Sequence, residues 1–130
     1  MIVHHHALIV ATVRRLPTEI NCADLRVFLS GLVKTIGMQS LFDPIAIDGK
    51  YGFTGIVGIV TSHIAFHFFD ENQSLQFDVY SCKEFDLDIL LKYIDEYWKI
   101  EMANILFIKR DRNLEQERFS FTQQGLVKNG

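Results

Sequence analysis

Residues 51–69 read YGFTGIVGIVTSHIAFHFF, and after a polar DENQ turn at 70–73 residues 74–82 read SLQFDVYSC. The second stretch alternates: Leu75, Phe77 and Val79 fall on one side, Gln76, Asp78, Tyr80 and Cys82 on the other. That period of two is the signature of a strand with one buried face. The first stretch is β-branched, aromatic and punctuated by Gly52, Gly55 and Gly58, so it too reads as β structure.

Working outward, residues 6–13 (HALIVATV) form a buried strand that stops before Leu16-Pro17. A helix opens at Asn21 or Cys22. Leu25, Phe28, Leu29, Leu32, Val33 and Ile36 recur at helical spacing, and Gly37 ends it. Residues 40–47 (SLFDPIAI) predict a strand interrupted at Pro44, followed by a turn at Asp48-Gly49-Lys50. A second helix is expected over roughly 86–99, with Leu87, Leu90, Leu91, Ile94 and Trp98 on its buried stripe, and a last strand at 103–109. The polar residues after Arg110 read as a loosely ordered tail. The predicted order is β-α-β-β-β-β-α-β. It defines an α+β, two-layer sandwich in which two helices cover one face of a largely antiparallel sheet. Apolar residues also fall on the other sheet face, which a second subunit would cover.

The 130 residues fit one domain, and a composition of 48% hydrophobic and 22% charged residues supports an ordinary core without disulfides. The net charge of -3 comes from interspersed residues, and Arg14-Arg15 and Lys109-Arg110 are isolated pairs. A nucleic-acid surface is therefore not expected. The His-rich start does not read as a signal peptide, and Ala7–Val13 is too short to cross a bilayer. A cytosolic protein with free Cys22 and Cys82 is expected, without a membrane partner.

Chemistry-bearing residues gather in the decisive stretch. Ser62 follows Thr61 and precedes His63; His67 lies further along, Thr54 upstream, and Cys82 ends the next strand. A hydroxyl, an imidazole and a thiol are thus in reach of converging where neighbouring strands meet, and the latter two move protons near neutral pH. His63 and His67 would suit a metal on a helix, but on a strand they stand ~13 Å apart. No helical zinc-protease motif joins them, Ser62 lacks a Gly-x-Ser-x-Gly elbow, and His4-His5-His6 reads as a polar strand entrance. No metal site is expected, and hydrogen-bonded, partly buried histidines remain the plain alternative.

The spacing of Tyr51, Gly52, Thr54 and Gly55, then Ser62, His63 and His67, then Asp78, Tyr80, Ser81 and Cys82 resembles the bacterial and archaeal S-adenosylmethionine decarboxylase proenzymes. The match in motifs covers about a quarter of the chain, and His6 on the first strand agrees as well. The resemblance implies a chain that cuts itself between Thr61 and Ser62. Ser62 would attack the Thr61 carbonyl, and elimination and hydrolysis would leave a pyruvoyl group at the former Ser62. The products would be a β chain of residues 1–61 and an α chain of residues 62–130. Thr54 and His67 hold the positions that assist processing, and Cys82 that of the acid which reprotonates the product. The pyruvoyl cofactor would form a Schiff base with a small-molecule amine substrate, by default S-adenosylmethionine on the way to polyamines. The family builds this site at a homodimer interface.

The sequence departs from that pattern in four places. Thr61 stands where Glu is common, and Phe68-Phe69-Asp70-Glu71 replaces a Thr-Trp-Pro-Glu turn. Ala11-Thr12-Val13 lacks the usual acidic residue. Asp48, beside Ile47, takes the place of the aromatic residue that stacks on adenine. With Asp48 and Tyr51 as substrate-binding residues, a basic amino acid such as arginine or ornithine is an alternative substrate, Asp48 pairing with its distal cation. A different-class alternative is an uncleaved, non-catalytic relative that serves as a regulatory subunit.

Overall fold

The computed structural model describes residues 2–111 and 113–130. Eight antiparallel strands form one sheet in the order β2-β3-β4-β5-β1-β6-β7-β8. The strands are β1 (His5–Val13), β2 (Ile45–Asp48), β3 (Gly52–Ile59), β4 (Ser62–Phe69), β5 (Ser74–Ser81), β6 (Ile100–Lys109), β7 (Glu115–Thr122) and β8 (Gly125–Asn129). Helix α1 (Cys22–Thr35) follows β1 after a 3-10 turn at Pro17–Glu19, and α2 (Leu87–Trp98) joins β5 to β6.

Local chemistry sets the helix ends. Asn21 caps α1 by accepting from the Asp24 N–H at 2.8 Å, and Gly37 leaves it at φ +75°. Asp86 caps α2 through the Ile89 N–H at 3.1 Å. Leu25, Phe28, Leu29, Leu32 and Val33 of α1, and Leu90, Leu91, Ile94 and Trp98 of α2, are buried. Both helices lie over the same sheet face, because the Phe66 ring of β4 packs edge-on against Phe28 at 6.2 Å and Trp98 at 5.5 Å. That face also buries Ala7, Ile9, Ala11, Phe53, Val57, Ile64, Phe68, Phe77 and Val79.

Two expectations need correction. The tail beyond Arg110 is a hairpin, not a loose segment. Phe119 and Phe121 of β7 pack on the core, Phe121 being 3% exposed, while Glu115, Glu117 and Arg118 make the same strand look polar. The sheet therefore has two strands more than predicted. The second strand is also shorter than 40–47: beyond Pro44 only Ile45–Asp48 pairs as a strand, and Ser40 makes a single bridge to Ile59.

Among the described residues, the opposite sheet face carries no helix. Across it the register runs Ile47, Thr54, His67, Gln76, Val10, Asn104. Val10 (50% exposed), Ile47 (57%), Ile56 and Met102 make this open face partly apolar.

Candidate active site

The β3–β4 hairpin turns on two residues, Val60 and Thr61, between the paired Ile59 and Ser62. Such tight turns favour Gly, Asn or Asp, because positive φ is needed. Thr61 nevertheless sits at φ +52°. A β-branched residue there is a real outlier, and backbone strain of this kind gathers at functional sites. The peptide bond that follows Thr61 is the one at which the resemblance implies cleavage.

Three groups meet around that bond. The Cys82 N–H donates to Ser62 Oγ at 2.9 Å. Thr61 Oγ1 donates to Cys82 Sγ at 2.8 Å, and Sγ lies 3.5 Å from the Val60 carbonyl. The Thr61 hydroxyl bond, followed by Ser62, lowers the Cys82 thiol below its ordinary value, outweighing a small opposing effect of burial. Cys82 opens onto a cleft of about 310 Å³ lined by Gly37, Met38, Gln39, Val60 and Lys83. Ser81, just before it, is buried and ties the chain to Lys83 through its hydroxyl, which accepts from the Lys83 N–H at 3.0 Å and donates to its carbonyl at 2.7 Å.

A second group forms elsewhere. Thr54 and His67 are direct cross-strand partners on the open face, with Thr54 Oγ1 and His67 Nδ1 2.8 Å apart. Ser62 and His67 are five positions apart on one strand, which is ~16 Å. The expected convergence of hydroxyl, imidazole and thiol thus does not occur within one chain. Extended strands hold these residues at opposite ends of β4.

The two residues expected to bind substrate, Tyr51 and Asp48, fall at the Thr54 end. Tyr51 is exposed in the turn before β3, with the Lys50 ammonium 5.3 Å from its ring centre. Asp48 ends β2 opposite Phe53, on the side of Ala46. Ile47, not Asp48, stands directly across from Thr54 on the open face.

A further cluster was not assembled by the sequence reading. Asp78 Oδ1 lies 2.8 Å from His6 Nε2 and 3.0 Å from His63 Nε2. Arg110 Nη1 is 3.2 Å from His6 Nδ1, and its guanidinium stacks 4.5 Å over Tyr80. Alternation was the available signal: Asp78 stands between buried Phe77 and Val79, and His63 precedes buried Ile64, so both project onto the open face.

A family model described as S-adenosylmethionine decarboxylase matches residues 17–111. The chain belongs to the S-adenosylmethionine decarboxylase family. It is 35% identical over 72 residues to the S-adenosylmethionine decarboxylase proenzyme of Pyrococcus abyssi, covering 55% of this chain and 52% of that protein. The Pyrococcus horikoshii proenzyme is 36% identical over 72 residues, 55% and 50% of the two chains. The chain thus spans about half the length of the curated relatives it matches. The crystal structure of the adenosylmethionine decarboxylase from Aquifex aeolicus VF5 superposes with a TM-score of 0.68 at 21% identity, over 84% of this chain and 91% of that one. This last likeness establishes the shared fold, including the pairing of two helices with an antiparallel sheet.

Proposed function

We propose that the chain is a self-processing, pyruvoyl-dependent decarboxylase, acting on S-adenosylmethionine as its family name indicates. The observation that carries this reading is the strained Thr61 beside a hydrogen-bonded Ser62 and a lowered Cys82 thiol. Ser62 Oγ attacks the Thr61 carbonyl, the C–N bond opens to an ester, and the left-handed φ of Thr61 is released. Loss of the Ser62 α-proton and departure of Oγ with the Thr61 carboxylate then frees residues 1–61 and leaves a dehydroalanine at position 62, which water hydrolyses to the pyruvoyl group with release of ammonia. The residues present fit a pyruvoyl group at position 62: the Cys82 N–H already addresses an oxygen there, and the Cys82 thiol stands next to it. When present, that group supplies an electron-accepting carbonyl to an amine substrate. Cys82, reachable from the cleft, is the proton donor to the product.

Thr54 and His67 complete processing from a second copy of the chain. Their ~16 Å separation from Ser62 within one chain supports this, as does the apolar open face on which they lie. A homodimer with the open faces together would cover Val10, Ile47 and Met102. Asp48 lends no support to a basic amino-acid substrate, since it shares the side of Ala46 rather than that of Thr54 and His67.

The test is carbon dioxide release from carboxyl-labelled S-adenosylmethionine, arginine and ornithine by the purified, fully incubated protein. Release from S-adenosylmethionine is expected. Release from arginine or ornithine alone would replace the substrate, and release from none would overturn the decarboxylase reading.

A further inference from the structure

Across the open face, one register step beyond the hairpin, stand Gly58, His63, Tyr80 and His6, with Asp78 two positions before Tyr80 on β5. One carboxylate oxygen, Asp78 Oδ1, contacts Nε2 of both imidazoles. An ionised carboxylate only accepts, so both rings must present Nε2–H to it. Burial pushes the Asp78 carboxyl up, but the hydrogen bond from His6 and the charges and bond of the two imidazoles together hold it below the usual carboxylate value. Arg110 gives separate witness for His6. A guanidinium only donates, so its 3.2 Å contact with His6 Nδ1 requires a lone pair there.

The same three ligand atoms lie within 4.8 Å of one another, close enough to surround a divalent ion. A metal would need lone pairs on both Nε2 atoms and would move the His6 proton to Nδ1, against the Arg110 guanidinium. Protons, not a metal, satisfy all the contacts at once. His63 is then left with a lone pair on Nδ1. Among the described residues that atom has no hydrogen-bond partner, and the side chain is 43% exposed. The groups facing it are the His6 ring at 5.9 Å and the Tyr80 ring at 5.7 Å, with Arg110 beyond Tyr80 and His4 on the Tyr80 hydroxyl.

We propose that Asp78 is a positioning residue that fixes His63 as the Nε2–H form, and that His63 Nδ1 is the base that takes a proton from the substrate's ammonium group beside residue 62. The inference rests on the decarboxylase reading for its second half only. One ammonium N–H bond breaks and its electron pair stays on the nitrogen. The proton bonds to Nδ1, and the Asp78 carboxylate steadies the imidazolium. The proton later passes to the oxygen lost as water when the amine condenses. The arrangement is that of a carboxylate that orients a histidine base.

The Asp78 half is tested on the Ser62→Ala chain, which does not cleave, by two-bond 1H–15N spectra of labelled histidine near pH 7.5. Both His6 and His63 are expected in the Nε2–H form. Asp78→Ala removes the one oxygen that accepts from both rings; Arg110 still calls for a lone pair on His6 Nδ1, so His63 is the ring expected to lose its uniform Nε2–H form. A His63 with its proton on Nδ1 in the parent Ser62→Ala chain, or a His63 unchanged in Asp78→Ala, overturns the positioning role. Signals of both rings displaced by one equivalent of zinc chloride overturn it in favour of a metal site. For the base, His63→Ala is expected to lower kcat/KM per cleaved chain about a hundredfold, with partial restoration by added imidazole. A drop without rescue, or none, overturns the base role. A parent protein that cleaves but releases no carbon dioxide overturns the base role together with the decarboxylase reading, while the spectra still decide the Asp78 half.

Discussion

Thr61→Gly should slow self-cleavage, although glycine is the less encumbered residue. The φ of +52° costs a residue with a Cβ about 1–2 kcal/mol, and glycine almost nothing. That cost is carried by the intact precursor and disappears once the Thr61–Ser62 peptide bond opens to the ester, because the turn is then no longer closed through a peptide at Thr61. Removing it lowers the ground state and leaves the opened state alone. The substitution also deletes the hydroxyl bonded to Cys82, so the fair reference is Thr61→Ala, which loses the hydroxyl but keeps the Cβ. Against that reference, 1–2 kcal/mol corresponds to cleavage slower by about 5–30-fold. A time course of intact mass on fresh precursor measures the rate. In the uncleavable Ser62→Ala background the sign reverses: Thr61→Gly should melt about 3–10 °C above Thr61→Ala. Equal cleavage rates combined with a higher melting temperature would show that the strain is real but unconnected to processing. Equal values of both would remove the strain altogether.

Other substitutions have outcomes fixed by the packing. Gly52→Ala would place a Cβ 1.8 Å from the Phe68 carbonyl oxygen at φ +149°, so a loss of at least ~2–3 kcal/mol in denaturant unfolding is expected. Phe121→Ala should cost about 3–4 kcal/mol, whereas a loosely ordered tail would give almost no change. In the Ser62→Ala chain, Cys82 alkylation should reach half its maximal rate below the pH of an ordinary thiol, since a lowered pKa yields thiolate earlier as pH rises. Thr61→Val removes the largest cause of that shift and should move the midpoint upward, and an unmoved midpoint would contradict the hydrogen bond.

Periodicity carried the core of the fold. In β5 the alternation of Leu75, Phe77 and Val79 matches the buried face, the predicted α1 stripe is buried, and in α2 Leu90, Leu91, Ile94 and Trp98 are buried while Leu87, in the first turn, is only partly so. It failed at β7, where charged residues interleave with only Phe119 and Phe121 and the turn to β8 offers Gln123-Gln124 before Gly125. For the candidate residues, the sequence indicated some neighbours and missed the arrangement of others. Spacing placed Ser62, Thr61 and Cys82 at adjoining strand ends, because a hairpin and its neighbouring strand bring them there. It could not reveal that an extended β4 keeps His67 remote from Ser62, nor that Thr61 occupies a left-handed conformation. The His6–His63–Asp78 cluster depends on register between β1, β4 and β5, which no single strand encodes.

The most direct test of a cleavage site shared by two copies is intact mass of a mixed dimer, obtained by co-expressing Ser62→Ala and His67→Ala chains. Each variant alone should remain whole. In the mixture, the His67→Ala chain should be cut between Thr61 and Ser62, using His67 of its partner, and should yield a second fragment blocked by a pyruvoyl group, while the Ser62→Ala chain stays intact. A mixture that remains whole, under conditions in which the parent chain cleaves, would contradict the shared site, and a parent chain that never cleaves would contradict the processing claim itself.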